Sequence, residues 1–399
     1  GRSYPMQTVL NEVTRDFELV ELDLKTGQYD LVYTFDSRFS ADSGGTMNAM
    51  AYNQKDAIAY GLFRDSSMPG DDYNLCRLSA DQAEQPVQCL CRIERSSQNS
   101  LYAGAIHNDI YFVSAGGKDL FAVPSVSSLI IDTAVVCPGT TLLYEGFTDL
   151  TAQFGAPDFA ADLETLGLTR GDLINQLGWN DTDLCDSFGD LLALCPNPGT
   201  AYEHLQYSRL YEFDTNDIVT GWKPILGEKQ NYADLITYEL EGQTYLVWLG
   251  ERDASMFVMR VDGDRIDGYA FIRTRLVWDD CNGCPDPRWF ITFGAGFKYV
   301  NEFGVQLYFA ANSGVGVFKV DVAQLDVAIG ACNWTTHACG LGDGTTVDLT
   351  RINAAYETTT NDGFNCETAN DPFLPSPPPP APPALPPPPS APPSPPPPS

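Results

Sequence analysis

Two stretches decide the fold: YFVSAGGKDLFAV, from Tyr111 to Val123, and YFAANSGVGVFKV, from Tyr308 to Val320. They have equal length and agree at the opening Tyr and Phe, at one Gly, at a second Phe and at the closing Val. Each reads as a strand rich in aromatic and β-branched residues, a Gly-rich turn, and a second strand that ends near a Val-Asp. Similar units recur along the chain. FELVELDLKTGQYDLVYTF (Phe17 to Phe35) is two alternating runs joined at Lys25-Thr26-Gly27, a hairpin signature. MNAMAYNQKDAIAYGLF (Met47 to Phe63), with YNLCRLS (Tyr73 to Ser79), forms another unit, and the run from Leu101 to Ser125 a third. YSRLYEFDTND (Tyr207 to Asp217), the run from Leu235 to Asp264 and that from Phe297 to Val322 continue the series.

Tyr60, Tyr111, Tyr245 and Tyr308 fall at equivalent places in these units, separated by 51, 134 and 63 residues. The long interval reads as about two repeats plus an insertion. Short strands repeating at roughly 45–60 residues are the sequence sign of a β-propeller. The expectation is an all-β, β-propeller-like head of five to seven blades, with an irregular β-sandwich as the alternative. The predicted boundaries are a lead-in over residues 1–16, the head over 17–350, a polar connector over 351–373 and a proline-rich segment over 374–399. An insertion at about 137–202 carries two helical patterns, Asp158 to Leu168 and Thr169 to Trp179, with Asp158 and Thr169 as N-caps.

The chain has 399 residues, 53 of them acidic and 23 basic, for a formal net charge of −30. Such a surface repels nucleic acid and anionic membranes and attracts divalent cations or basic partners. No apolar run approaches the ~20 residues of a membrane span. Eleven cysteines, several closely spaced, read as a disulfide framework formed in an oxidising compartment, hence a secreted protein, with any leader removed or never included in the sequence. The local pairs Cys185 with Cys195, Cys281 with Cys284, and Cys332 with Cys339 are the disulfide candidates. The odd count leaves one thiol free or paired between chains. Cys366 stands where it could pin the junction with the proline-rich segment.

Residues that could carry chemistry each have a plainer reading. Asp42-Ser43-Gly44-Gly45 matches in letters a serine-nucleophile loop, but that chemistry needs an oriented histidine base, and a polar Gly-rich turn explains it equally well. Cys281-Asn282-Gly283-Cys284 fits a redox motif, half a zinc site, or a local disulfide closing a blade loop. Asp181, Asp183, Asp186 and Asp190 form an oxygen-rich cluster of the kind calcium uses, or a solvated acidic loop. Calcium is therefore the one cofactor the sequence allows for. Asn180-Asp181-Thr182 and Asn333-Trp334-Thr335 are N-glycosylation sequons, at Asn180 and Asn333, in expected loops. Trp179, Trp222, Trp248, Trp278 and Trp289 could line a sugar platform or serve as blade core.

The end of the chain is the strongest local signal. LPSPPPPAPPALPPPPSAPPSPPPPS (Leu374 to Ser399) has no charge, no aromatic residue and no glycine, and eighteen of the 29 prolines lie between 372 and 398. Consecutive prolines fix φ and remove N–H donors, so the expected conformation is a polyproline II rod of roughly 80 Å. The Ser-Pro(4) blocks at Ser376 and Ser394 resemble those of extensin-like, hydroxyproline-rich glycoproteins of plants and volvocine green algae. In those families globular heads are joined to Pro-rich shafts in cell walls, agglutinins, pherophorins and flagellar mastigonemes. The resemblance implies hydroxylation and O-glycosylation at Pro377, Pro378, Pro379, Pro380, Pro386, Pro387, Pro388, Pro389, Pro395, Pro396, Pro397 and Pro398, with Ser376, Ser390 and Ser394. It also implies a structural, non-enzymatic protein outside the cell, in a wall or on a flagellar surface, with other glycoproteins or copies of itself as partners and covalent glycans on the shaft. An adhesin or lectin on a rigid stalk, calcium-assisted, is the alternative, and a propeller-borne glycosidase or lactonase a third reading.

Overall fold

The computed structural model describes residues 4–64, 73–78, 87–94, 101–115, 119–145, 232–250, 256–272, 274–277, 293–302, 304–312, 314–334, 346–353, 361–369 and 371–373. The expected helical insertion with Cys185 and Cys195, the sequon at Asn180, the aspartates at 181–190, Cys281, Cys284, Cys339, the unit at Tyr207 to Asp217 and the shaft at 374–399 lie outside the described residues.

Five sheets, antiparallel but for one added edge strand, make five blades. Blade 1 contains β1 (Met6–Leu10), β2 (Phe17–Leu22) and β3 (Tyr29–Thr34), with β21 (Asn361–Phe364) as its fourth strand. Blade 2 is β4 (Thr46–Asn53), β5 (Ile58–Arg64), β6 (Tyr73–Leu78) and β7 (Val87–Ile93). Blade 3 is β8 (Ala103–His107), β9 (Ile110–Ser114), β10 (Asp119–Val123) and β11 (Thr141–Glu145). Blade 4 is β12 (Tyr232–Leu240), β13 (Gln243–Gly250), β14 (Met256–Asp262) and β15 (Arg265–Ile272). Blade 5 is β17 (Phe293–Asn301), β18 (Gly304–Ala311), β19 (Gly316–Val320) and β20 (Val347–Asn353), with β16 (Thr274–Val277) added in parallel at its outer edge.

The strands β4, β8, β12, β17 and β21 touch one another in that order and back to β4, which closes a ring. The expected propeller is therefore present, with five blades. Its boundaries differ from those expected: β1 precedes residue 17 and β21 follows residue 350, because the last strand of the chain completes the sheet begun by the first. Val9 pairs with Asn361 and Met6 with Phe364. The tyrosine pattern holds at the level of strands: Tyr60, Tyr111, Tyr245 and Tyr308 all lie on the second strand of their blade, and all are buried. The 134-residue interval is corrected. β8 lies directly against β12, so Tyr111 and Tyr245 belong to successive blades with no further blade between them.

Local chemistry explains the hairpins. Gly27 takes φ +71° in the expected turn, and Asp23 closes it by accepting from the Lys25 amide at 2.8 Å. Asn108 and Asp109 both hold positive φ between β8 and β9, as do Glu241 and Gly242 between β12 and β13, the geometry that matches strand twist in two-residue hairpins. Apolar side chains then fill the five seams between blades. Phe35, Phe39, Met47 and Phe63 fill the first, and Tyr60, Leu62, Tyr111 and Val113 the second. Phe112, Tyr144, Trp248 and Phe257 fill the third, Val258, Phe293 and Phe318 the fourth, and Leu22, Phe297 and Tyr308 the last. Each such side chain contributes about 1.5–3 kcal/mol of transfer free energy. Trp248 is wholly buried here, so it is blade core and lines no sugar platform; the other four tryptophans of that group lie outside the described residues.

The sequence reading missed helix α1 (Val322–Ala331). Asp321 caps it by accepting from the Gln324 amide at 3.0 Å, and Leu325, Ala328 and Ile329 pack into the fourth seam. Two disulfides tie blade 2. Cys76–Cys89 joins β6 to β7, and Cys91–Cys137 holds the segment after β10 along the outer edge of β7. There the amides of Arg92 and Cys137 donate to Val135 and Arg92 carbonyls at 2.9 and 2.8 Å, covering an edge that would otherwise be open to pairing. Cys332 is disulfide-bonded to a partner outside the described residues. Cys366 forms no disulfide: it is a half-buried free thiol whose Sγ donates to Gln54 Oε1 at 3.7 Å.

Candidate functional site

At the middle of the ring, three inner strands slip register. The slip in β4 between Asn48 and Ala51 leaves Ala49 and Met50 out of the ladder with β5, and Ala49 takes φ +59°. Two successive amides point at one group: Met50 N donates to Asp362 Oδ2 at 3.0 Å, and the Ala49 amide faces the same carboxyl. The slip in β12 between Tyr232 and Leu235 frees Asp234, which accepts from the Leu235 amide at 2.8 Å and from the Gly296 amide just past the slip in β17. The Gly363 amide faces both carboxyls. Two carboxyl groups 128 positions apart in the chain thus converge on one N–H.

Both aspartates are buried, at 3% and 2% exposure. Burial pushes the Asp234 carboxyl well above the usual carboxylate range, against the pull of its amide donors. Burial does the same to Asp362, and the neighbouring Asp234 charge adds to it. Neighbouring atoms, backbone and side chain, fill the space around them. A Cβ at Gly104 would lie 2.2 Å from the Ala49 oxygen, one at Gly296 2.6 Å from Ile236 Cγ1, and one at Gly363 2.6 Å from Ala295 Cβ. Tyr111 seals one side, donating its hydroxyl to the Ala49 carbonyl at 2.6 Å.

A second polar layer lies further along the same strands. Lys298 is buried, with Nζ 2.9 Å from Thr237 Oγ1 and 2.7 Å from Glu367 Oε1. Asn365 accepts from the Lys298 amide at 3.0 Å and donates to its carbonyl at 2.7 Å. His107 Nε2 accepts from Asn108 at 2.7 Å and lies 3.5 Å from Glu239 Oε1. Burial lowers the His107 pKa more than the Glu239 carboxylate raises it, so the ring is neutral at pH 7. Asp109 lies in the turn between β8 and β9 and faces Asn53, Lys55 and Ser127. Burial would raise its pKa, but donations from Lys55 Nζ (2.6 Å), the Ser127 amide and hydroxyl (2.8 Å each) and Asn53 Nδ2 (2.9 Å) outweigh that and hold it below the usual range.

Of the residues expected to carry function, Asn333 is described and exposed, directly after α1, with Trp334 packed on Tyr245 and beneath Arg260. The Ser43 hydroxyl donates to the Ser40 carbonyl at 2.7 Å inside a short 3-10 turn, which is the plain reading of Asp42 to Gly45. Among the described residues, no group of three or more His, Cys, Asp or Glu side chains could hold a metal ion. Sequence reasoning missed the Asp234–Asp362 pair, because no spacing rule joins groups that meet only when the ring closes.

These features define the class: a disulfide-bonded, five-bladed β-propeller whose centre holds a buried acid pair. No family model matches the chain, and no curated protein does. Among solved structures, it is similar to a bifunctional GH43-CE protein of Bacteroides eggerthii, at 10% identity over 90% of this chain and 35% of that one, with a TM-score of 0.32. A GH43 glycoside hydrolase engineered for endo-xylanase and exo-arabinofuranosidase activity is 9% identical over 87% and 53%, with a TM-score of 0.34. The WD40 β-propeller domain of Doa1 is 9% identical over 80% and 79%, with a TM-score of 0.29. The chain spans about a third to a half of the two GH43 proteins, and likenesses at these TM-scores carry no argument about activity.

Proposed function

We propose that this chain is a secreted structural glycoprotein in which the propeller is a head and the proline-rich segment a shaft mounted on it. The observation that carries this reading is the mount. Only nine residues separate β21, the strand that closes the ring, from Leu374, where the proline-rich run begins. Those residues are tied to blade 5 along their length. Asn365 holds the Lys298 backbone, Glu367 pairs with Lys298 Nζ, and the Glu367 carbonyl accepts from the Val300 amide at 2.6 Å. The buried Asp371 accepts from the Tyr308 hydroxyl at 3.0 Å, and Phe373 stacks on the Tyr308 ring at 5.7 Å. A flexible linker needs no such anchorage; a rod that transmits direction does. Disulfides and the exposed sequon at Asn333 are compatible with the secretory route.

On this reading the shaft is hydroxylated and O-glycosylated at its Ser-Pro(4) blocks and spans distance in a wall or on a flagellar surface. Glycopeptide mass spectrometry of the tail, from protein purified from its natural source, tests it. Hydroxyproline with pentose chains is the expected result. A tail of bare proline sinks the fibre reading and leaves a linker.

A further inference from the structure

Independently of the shaft, the centre of the ring carries a second device. We propose that Asp234 and Asp362 share a single proton and that this proton latches β21 into the ring, so that a rise in pH releases the closing strand. The geometry points there in three steps. First, the two carboxyls are buried together beside the Gly363 amide and Tyr111, where two negative charges cannot both persist. Second, β21 has four residues, and Asp362 is its grip on blade 2, through the Met50 amide at 3.0 Å. Asp234 on blade 4, held by the Leu235 and Gly296 amides, faces it from the other side. Third, Asp362 Oδ1 accepts no hydrogen bond, which leaves one oxygen of the pair without a donor and suits it to carry the proton.

The charged and titratable surroundings do not supply another counter-charge. On β1, Gln7 and Thr8 are neutral and buried; on β4, Ala49 and Met50 offer only amides; on β9, Tyr111 donates away from the pair to a carbonyl. On β17, Lys298 follows Gly296 by two positions, but its ammonium is committed to Glu367 and Thr237. His107 on β8 faces Glu239 and the Lys298–Glu367 pair and is neutral. When β21 leaves the ring, both carboxyls enter water and the shared proton departs. Opening is then coupled to the loss of one proton and becomes about tenfold more favourable per pH unit above the ordinary carboxyl range.

The test is amide hydrogen exchange on the full chain, corrected for the chemical exchange rate, from pH 5 to pH 8. It follows peptides covering Asn361 to Cys366 with those covering Tyr73 to Leu78 as reference. The expected result is an opening constant for β21 that rises about tenfold per pH unit while the reference stays flat. In Asp362→Asn the slope should vanish, because the amide supplies an N–H in place of the proton and leaves none to release. Asp234→Asn tests the same point should the first variant fail to fold. A flat wild-type profile overturns the latch. So does a slope that survives in the folded variant, or a reference strand that opens in parallel with β21.

Discussion

Replacing Gly363 by alanine should unseat the ring more than any comparable change at the surface. The new Cβ would stand 2.6 Å from Ala295 Cβ, 2.6 Å from Phe297 Cε1 and 2.9 Å from Phe297 Cζ. Carbon pairs at their optimum lie about 3.5–4.0 Å apart, so β21 and β17 must separate by roughly 1 Å. None of the three atoms is the end of a flexible chain; one is an alanine methyl and two belong to a ring held in the last seam. Separation also draws the Gly363 amide from the two carboxyls it serves. Overpacking of a filled core and one weakened buried hydrogen bond together cost about 2–4 kcal/mol. Gly330 is the internal control. It lies exposed in the last turn of α1 with nothing within 4 Å of its Cβ position, so Gly330→Ala should be neutral or stabilise by up to about 1 kcal/mol. Urea denaturation of both variants, comparing midpoints at equal m-values, reads the difference. A Gly363→Ala protein within 0.5 kcal/mol of wild type, a margin ordinary for surface changes, would refute the close approach of these strands.

Four further outcomes are expected. Removing Cys91–Cys137, whose cysteines are 46 positions apart, should cost about 4 kcal/mol, and removing Cys76–Cys89, 13 apart, about 3 kcal/mol, on the chain-entropy scale; guanidinium midpoints showing the reverse order would contradict it. Asp109 should set the acid limb of stability. Its folded pKa lies below the ordinary 3.8, so its contribution is present above that value and lost as pH falls below it. Asp109→Asn should flatten that limb in thermal melts at pH 2–4, and an unchanged acid slope speaks against it. Tyr308→Phe removes the hydroxyl that Asp371 accepts from, at about 1–2 kcal/mol for a buried carboxylate losing a donor. Limited proteolysis should then cut faster within residues 365–373; equal cutting rates argue against the mount. Thr335→Ala should abolish a glycan at Asn333, read as a loss of mass in protein secreted by a eukaryotic host, and equal masses rule out modification there.

Much of the architecture was legible because hairpins write themselves locally. Lys25-Thr26-Gly27 sits between alternating runs, and the tyrosines of β5, β9, β13 and β18 mark the same strand in four blades. Closure was not legible. Asn361 to Phe364, NDGF, has neither alternation nor β-branched residues, because an innermost strand draws its stability from neighbours on both sides and from Asp362. The same holds for VAQLDVAIGA: its apolar residues follow a Val-Asp strand ending so closely that only the Asp321 cap marks the change to helix. The interval between Tyr111 and Tyr245 misled because length alone cannot tell an inserted segment from a further blade. The acid pair was invisible for a different cause. Its members acquire their chemistry from burial and from three register slips, none of which is written at the aspartates themselves.

The closure of blade 1 by β21 also sets a clock on biosynthesis. Roughly 330 residues separate Thr34 from Asn361, and at roughly 5–20 residues per second their synthesis takes roughly 16–65 s. Throughout that time β1 offers an unpaired inner edge, and the apolar faces of Phe17, Leu19 and Leu22 are only half covered. An edge of this kind recruits strands from neighbouring chains. The nascent head is therefore most vulnerable early and sealed last, and a chaperone that shields residues 6–34 until Asn361 has emerged would govern its yield.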